Sequence, residues 1–330
     1  MTQLSIDQPM PNRATASDYL RICRFDHMTK QVFILPGIVL ALLLRGAAGS
    51  VDLWWNLVAG FASAVAIASA NYVINEWLDR EFDRYHPEKS QRAAVQKELE
   101  PTIVYAMWGA LLMVGIGLAS TINGTFLVTS VVFALAGMAY NIPPVRTKDV
   151  PYLDVLSESL NNAIRLTLGW AMIDGGTLPP ASLLLGFWLG GAFLMNTKRL
   201  SEYRDIVASH GREQLGLYRR SFRHYTEPKL LVANLVYALL CSLLIGVFLI
   251  KYRVEYILLM PALVILFAEY FRLAFVQDSV TRKPEQLFHA KRLMVYSAFA
   301  GLLFLVLTIV DIPLVAQLSE PNFITLRPGS

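Results

Sequence analysis

Three side chains that can offer oxygen ligands stand four residues apart in Asn75-Glu-Trp-Leu-Asp79-Arg-Glu-Phe-Asp83. Four residues is just over one helical turn, so Asn75, Asp79 and Asp83 form one stripe about 12 Å long if the segment is helical. Hard oxygen ligands suit Mg²⁺, which is commonly held by one or two carboxylates while substrate phosphates complete its shell. The spacing therefore predicts Asn75, Asp79 and Asp83 as metal ligands that present Mg²⁺ to a diphosphate, with Asp79 and Asp83 carrying catalysis. The plainer alternative is a solvated helix end in which Asp79 and Asp83 pair with Arg80, Arg84 or Lys89. Against it, seven acids lie between Glu76 and Glu100 and repel one another unless a cation is shared among them.

A second chemically pointed group is Asn161-Asn162-Ala-Ile-Arg165, set inside an apolar stretch. A charge at membrane depth costs about 2.5 kcal/mol or more, so Arg165 is expected to face a cavity or a partner, with Asn161 on the same face. Contact with a substrate phosphate is the functional reading for the pair. The five histidines have no His or Cys at ligand spacing, which argues against a transition-metal centre. Cys23 and Cys241 fall on segments of different character and are read as free thiols.

The elements that must position these groups are membrane helices. Of 330 residues, 55% are hydrophobic and only 16% charged, and the mean hydropathy is +0.46. That balance excludes a soluble enzyme, a nucleic-acid binder and a disordered scaffold. Apolar runs long enough to cross the bilayer are expected at 32–49, 54–76, 102–119, 124–142, 155–173, 181–197, 230–250, 254–276 and 293–316. With these nine spans in strict alternation, 23 of the 29 Lys and Arg residues fall on one face and four on the other, and two lie inside spans. The basic face is the cytoplasmic one, so the N-terminus is expected in the cytoplasm and the C-terminus outside it. The same bias explains the net charge of +4 and pI near 9.0 without a nucleic-acid partner. The two longest connections, 77–101 and 198–229, also lie on that face and place the chemistry there. No cleavable signal peptide is expected at the polar start of the chain. The organisation anticipated is an all-α integral membrane bundle: a cytoplasmic segment 1–31, one nine-span domain 32–316, and an extracytoplasmic tail 317–330.

The stripe at the end of the second span resembles the first signature of the UbiA superfamily of intramembrane prenyltransferases. The resemblance extends from Tyr19-Leu-Arg-Ile-Cys-Arg24-Phe-Asp-His27-Met-Thr-Lys30 through the basic loop carrying Lys89 and Arg92 to Tyr140-Asn-Ile-Pro-Pro144-Val-Arg-Thr-Lys148. It implies a helical bundle with a central cavity, cytoplasmic caps over the acids, a side opening for a polyprenyl chain, and Mg²⁺ as cofactor. It also brings Arg24, Lys30, Lys89, Arg92, Tyr140 and Lys148 into the expected substrate-binding set.

Most members carry a second aspartate cluster after the sixth span, and here the chain departs. It reads Asn196-Thr-Lys198-Arg199-Leu-Ser-Glu202-Tyr-Arg-Asp205, with two cations ahead of one acid and Lys198 and Glu202 at i and i+4. This resembles the decaprenyl-phosphate phosphoribosyltransferase branch, which transfers phosphoribose from phosphoribosyl pyrophosphate (PRPP) to a polyprenyl phosphate. PRPP bears a diphosphate at C1 and a phosphate at C5, and so needs a metal at one end and cations at the other. Lys198 and Glu202 are expected in catalytic roles and Arg199 as a further phosphate contact. The alternative within the superfamily is transfer of a polyprenyl group from its diphosphate to an aromatic or lipid acceptor. A transporter is disfavoured because the acids cluster at one face. Membrane lipid is a partner in each case.

Overall fold

The computed structural model describes residues 12–45, 51–84, 89–276, 281 and 289–318. Among these the chain is almost wholly helical: α1 Ala16–Ile22, α2 Leu35–Arg45, α3 Val51–Asp83, α4 Ala93–Gln96, α5 Pro101–Ser120, α6 Gly124–Asn141, α7 Leu153–Ile173, α8 Ala181–His210, α9 Leu215–Tyr218, α10 Glu227–Tyr252, α11 Met260–Leu273, α12 Lys291–Ile309 and α13 Pro313–Leu318. Tighter 3₁₀ segments, Phe25–Ile34 and Val254–Leu259, lead into α2 and α11. One short parallel pair, β1 Asn12–Arg13 with β2 Lys97–Glu98, ties the N-terminal segment to the loop after α3.

Among the described residues seven helices are long and apolar enough to cross a membrane: α2 with the turn before it, α3, α5, α6, α10, α11 with its lead-in, and α12. Large apolar side chains on their outer faces are exposed, among them Met113, Leu239, Leu243 and Leu302. Hydrocarbon-facing surface of this extent is stable only in lipid, so the protein is an integral membrane protein. The long helices α7 and α8 also coincide with expected apolar segments. Ser157, Glu158, Asn161, Asn162 and Arg165 on α7, and the charged C-terminal third of α8, lower their hydropathy.

Two helices run well past the apolar stretches that announce them. The second expected span ends at residue 76 but α3 continues to Asp83, and the sixth ends at 197 but α8 continues to His210. Polar residues end a membrane-compatible stretch without ending a helix, since Glu, Arg and Leu are good helix formers. Much of what reads as connection is therefore rigid helix, and the acidic stripe and Lys198–Glu202 both ride on it. The last expected segment, 293–316, is interrupted after Ile309, and α13 restarts at Pro313, which cannot donate the backbone hydrogen bond that would continue α12. Residues 319–330 and 1–11 lie outside the described part.

At the centre stands α7, packed against α2, α6 and α8, with every residue from Ala163 to Met172 buried. A helix buried all round has no face to spare for solvent, so its polar residues must find partners inside the bundle. It meets α2 at backbone contact: a Cβ added at Gly169 would sit 2.1 Å from the Ile34 carbonyl oxygen, and one at Gly37 would sit 2.0 Å from that of Leu166. The opposing atoms are backbone and cannot rotate away. Gly169→Ala is expected to destabilise the protein by about 3 kcal/mol, the upper end of the overpacking range. Gly109→Ala on α5, where a Cβ meets nothing within 4 Å, should leave the unfolding midpoint unchanged or slightly higher. Thermal unfolding of the two purified variants checks both.

Candidate active site

The charged ends of α3, α6, α7 and α8 converge on one elongated cavity of about 680 Å³. Of the side chains expected from the sequence, Arg24, Lys30, Asn75, Asp79, Asp83, Arg92, Tyr140, Lys148, Asn161, Arg165, Lys198, Arg199 and Glu202 line it. The Lys89 side chain lies outside the described residues.

On the α3 wall, Asp79 is countered by two cations from the segment after α6. Arg146 Nη2 donates to its Oδ1 at 2.8 Å, and Lys148 Nζ lies 2.7 Å from the same oxygen. Asp83, nearly buried, accepts from Arg92 Nη1 at 2.5 Å. These counter-charges come from across the cavity and from the following loop. Arg80, the nearest cation in sequence to Asp79, instead lies over the Trp77 ring at 3.8 Å and donates to the Trp77 carbonyl. Asn75 Nδ2 donates to Asn141 Oδ1 at 2.5 Å, and Lys148 Nζ donates to that oxygen at 3.0 Å, which joins Asn75 and Asp79 in one polar network. Burial pushes Lys148 down to about 8, with the charge of Asp79 opposing the shift. Burial also lowers Arg24, and the charge of Arg92 adds to the effect. Arg24 and Arg146 hold positive φ, 53° and 27°, a costly conformation for residues with a Cβ that concentrates at functional sites.

The opposite wall belongs to α7 and α8. Arg199 is 2% exposed and spans three carboxylates: Nε to Asp154 Oδ2 at 3.2 Å, Nη2 to Glu158 Oε2 at 2.7 Å, and Nη1 to Glu202 Oε2 at 3.1 Å. All three donor arms of the guanidinium, expected to contact a phosphate, are so engaged. The Lys198 side chain is 21% exposed, and its Nζ lies 4.0 Å from Glu202 Oε1. Asp154, fully buried, also accepts from Tyr225 Oη at 2.6 Å and Ser221 Oγ at 3.1 Å, which pins the segment between α9 and α10 over the cavity. Tyr140 donates to Glu158 at 3.0 Å and accepts from Arg219 Nη2 at 2.6 Å.

Sequence reasoning missed Asp154, Glu158, Arg146, Asn141 and Arg219. Asp154, Glu158, Asn161 and Arg165 follow at steps of 4, 3 and 4 along α7, one helical face, so that signal was present. Arg219 sits on a connection whose return to the cavity no local pattern encodes.

Chemically, the site combines oxygen ligands on one helix with a dense set of cations, an arrangement suited to a phosphorylated substrate. Among the described residues no three His, Cys, Asp or Glu side chains form a group that could hold a metal by themselves. The donor set that is present, two carboxylates and an amide one turn apart, fits a metal that leaves part of its shell to water and phosphate oxygens.

Comparison with known proteins agrees with this geometry. Residues 34–303 match the UbiA prenyltransferase family. Among curated proteins, 4-hydroxybenzoate octaprenyltransferase of Aeromonas salmonicida is 24% identical over 229 residues, 68% of this chain and 74% of the relative. Lycopene elongase/hydratase of Haloarcula japonica is 27% identical over 120 residues, 36% of this chain and 39% of that protein. The chain spans about half or less of the length of that protein and of 4-hydroxybenzoate octaprenyltransferase of Xylella fastidiosa, 39% and 48%. Among solved structures, a UbiA homologue from Archaeoglobus fulgidus bound to DMAPP and Mg²⁺ superimposes with a TM-score of 0.65 at 20% identity, covering 89% of this chain and all of the other. The apo structure of a UbiA homologue from Aeropyrum pernix K1 gives 0.54 at 16% identity, covering 85% and 98%. With four-fifths of its length matched by one family model and the fold shared with these structures, the chain belongs to the UbiA prenyltransferase family.

Proposed function

We propose that this UbiA-family protein is an Mg²⁺-dependent transferase that moves a phosphoribosyl group from PRPP to a polyprenyl phosphate. Asp79, Asp83 and Asn75 would hold the metal, which when bound neutralises the charge that gathers on the departing pyrophosphate. An oxygen of the acceptor phosphate forms a bond to C1 of the ribose as the bond from C1 to pyrophosphate breaks and its electron pair leaves with that group. The acceptor oxygen is already ionised, so no general base is needed. Lys198, with Arg24 and Lys30, would hold the second phosphate of the donor.

The observation that carries this reading is the state of the α8 wall. Glu202 on α8 is engaged by Arg199 at 3.1 Å and approached by Lys198 at 4.0 Å, so this acid meets the cavity already countered by cations. A donor with phosphate at both ends suits a metal site on α3 and a cationic site on α8. A second reading, transfer of a polyprenyl group from its diphosphate to an aromatic acceptor, is favoured by the relatives named 4-hydroxybenzoate octaprenyltransferase. Thermal stability of the purified protein with Mg²⁺ separates the two. Saturable stabilisation by PRPP supports the first, and stabilisation by a prenyl diphosphate alone supports the second.

The proposal includes the topology. We read α7 and α8 as crossing the membrane with the other seven, making nine spans, with the cavity mouth and the N-terminus cytoplasmic. A reporter inserted near His210 is then expected in the cytoplasm and one fused after Ser330 outside it. Both on one side would contradict the count.

A further inference from the structure

The donor site accounts for the charged mouth of the cavity but not for its deep end. Arg165 is 6% exposed in the run of α7 that is buried all round. Its Nε donates to Gln31 Oε1 at 3.1 Å, and its guanidinium faces the Phe133 ring at 5.1 Å. Among the described residues no carboxylate lies within 4.0 Å of it, whereas Arg199, just as buried, has three. A guanidinium taken out of water without a counter-ion is a standing penalty, retained where a ligand supplies the missing charge. One turn earlier on the same face, Asn161 Oδ1 is buried without a hydrogen-bond partner and also lines the cavity.

The depth of this group is fixed by its neighbours. The Phe133 carbonyl accepts from Asn71 Nδ2 at 3.3 Å, so Phe133 and Arg165 lie near the level of Asn71. Asn71 precedes Asp79 by two turns of α3, about 12 Å along the axis. A diphosphate seated on Asp79 and Asp83 does not span that distance. A diphosphate, its reacting carbon and an attacking oxyanion laid end to end do.

We propose that Arg165 and Asn161 form a separate oxyanion subsite that receives the anionic head of the acceptor, and that Gln31 is a positioning residue that fixes the plane of the guanidinium. The occupant is an oxyanion on an apolar body, either the phosphate of a prenyl phosphate or the carboxylate of an aromatic acid. The inference rests on the two-substrate transfer reading above but not on PRPP being the donor.

Binding of farnesyl phosphate, farnesol, 4-hydroxybenzoate and Mg²⁺–PRPP to the full-length wild type, Arg165→Gln and Arg165→Lys, read together with unfolding temperature, tests it. Farnesyl phosphate should bind the wild type and farnesol should not. Arg165→Gln should weaken farnesyl phosphate by about tenfold or more, the loss of a charge-assisted contact, with Arg165→Lys between the two. The ligand-free Gln variant should unfold no earlier than wild type, and PRPP affinity should change by less than about threefold, well under the loss of one charge-assisted contact. The same dependence shown by 4-hydroxybenzoate instead would support the subsite and identify an aromatic acid as its occupant. Earlier unfolding of both ligand-free variants with no selective loss of either acceptor probe would overturn the subsite in favour of a structural arginine, and selective loss of PRPP would overturn the acceptor assignment. If PRPP binds no variant while farnesyl phosphate binding still depends on Arg165, the donor reading fails and the subsite stands.

Discussion

Replacing Asp83 with Asn is expected to lower turnover by roughly 10²- to 10³-fold, since a bound dication contributes several kcal/mol of charge stabilisation to the departing diphosphate. Asp79→Asn should lose as much activity and also some stability, because it leaves Arg146 and Lys148 facing each other around a neutral amide. Asp83 contacts Arg92 in the following loop, away from the Arg146–Lys148 pair. Asn75→Ala should be milder than either, since a neutral amide contributes less to holding a dication. Turnover measured across a Mg²⁺ titration, with size-exclusion profiles of each variant, checks the set. Mg²⁺-dependent donor binding that survives both aspartate changes would remove the basis for the metal site.

Lys198→Ala is expected to raise the apparent donor constant for PRPP by about 10- to 150-fold, equivalent to the roughly 1.5–3 kcal/mol of a hydrogen bond to a charged group. The fold should hold, because Glu202 keeps its contact with Arg199 when Lys198 is gone. Arg199 could not serve as such a probe. Its removal would strip a guanidinium from Asp154, Glu158 and Glu202 at once, and unpaired buried carboxylates destabilise strongly. A prenyl diphosphate has no second phosphate for Lys198, so its binding should depend mainly on Asp79 and Asp83. Radiolabelled PRPP and a labelled prenyl diphosphate, each with Mg²⁺, give the comparison directly.

What could be read from the sequence followed from periodicity and polarity. The four-residue spacing of Asn75, Asp79 and Asp83 placed them on one helix face, and α3 carries them on the cavity wall. Arg165 announced a cavity or a partner by the cost of its position, and it lines the cavity beside Gln31 and Phe133. What stayed hidden depends on tertiary return. Which cation neutralises Asp79 is decided by the turn after α6 folding back over α3, and the nearby Arg80, Arg84 and Lys89 were the obvious candidates in sequence. The burial of Arg199 likewise depends on α7 bringing Asp154 and Glu158 alongside α8, since Lys198 and Arg199 read alike as two adjacent cations. The ends of α3 and α8 were placed early because hydropathy marks where lipid stops, not where a helix stops.

The central claim is that a phosphoribosyl group, not a prenyl group, crosses from donor to acceptor. Incubating the purified protein with Mg²⁺, PRPP labelled in the ribose and a polyprenyl phosphate, then extracting lipid into organic solvent, tests it most directly. The expected result is ribose label in the lipid phase with pyrophosphate released in equal amount, both lost in Asp83→Asn. The contradicting result is an unlabelled lipid phase from a protein that consumes a prenyl diphosphate and prenylates an aromatic acid.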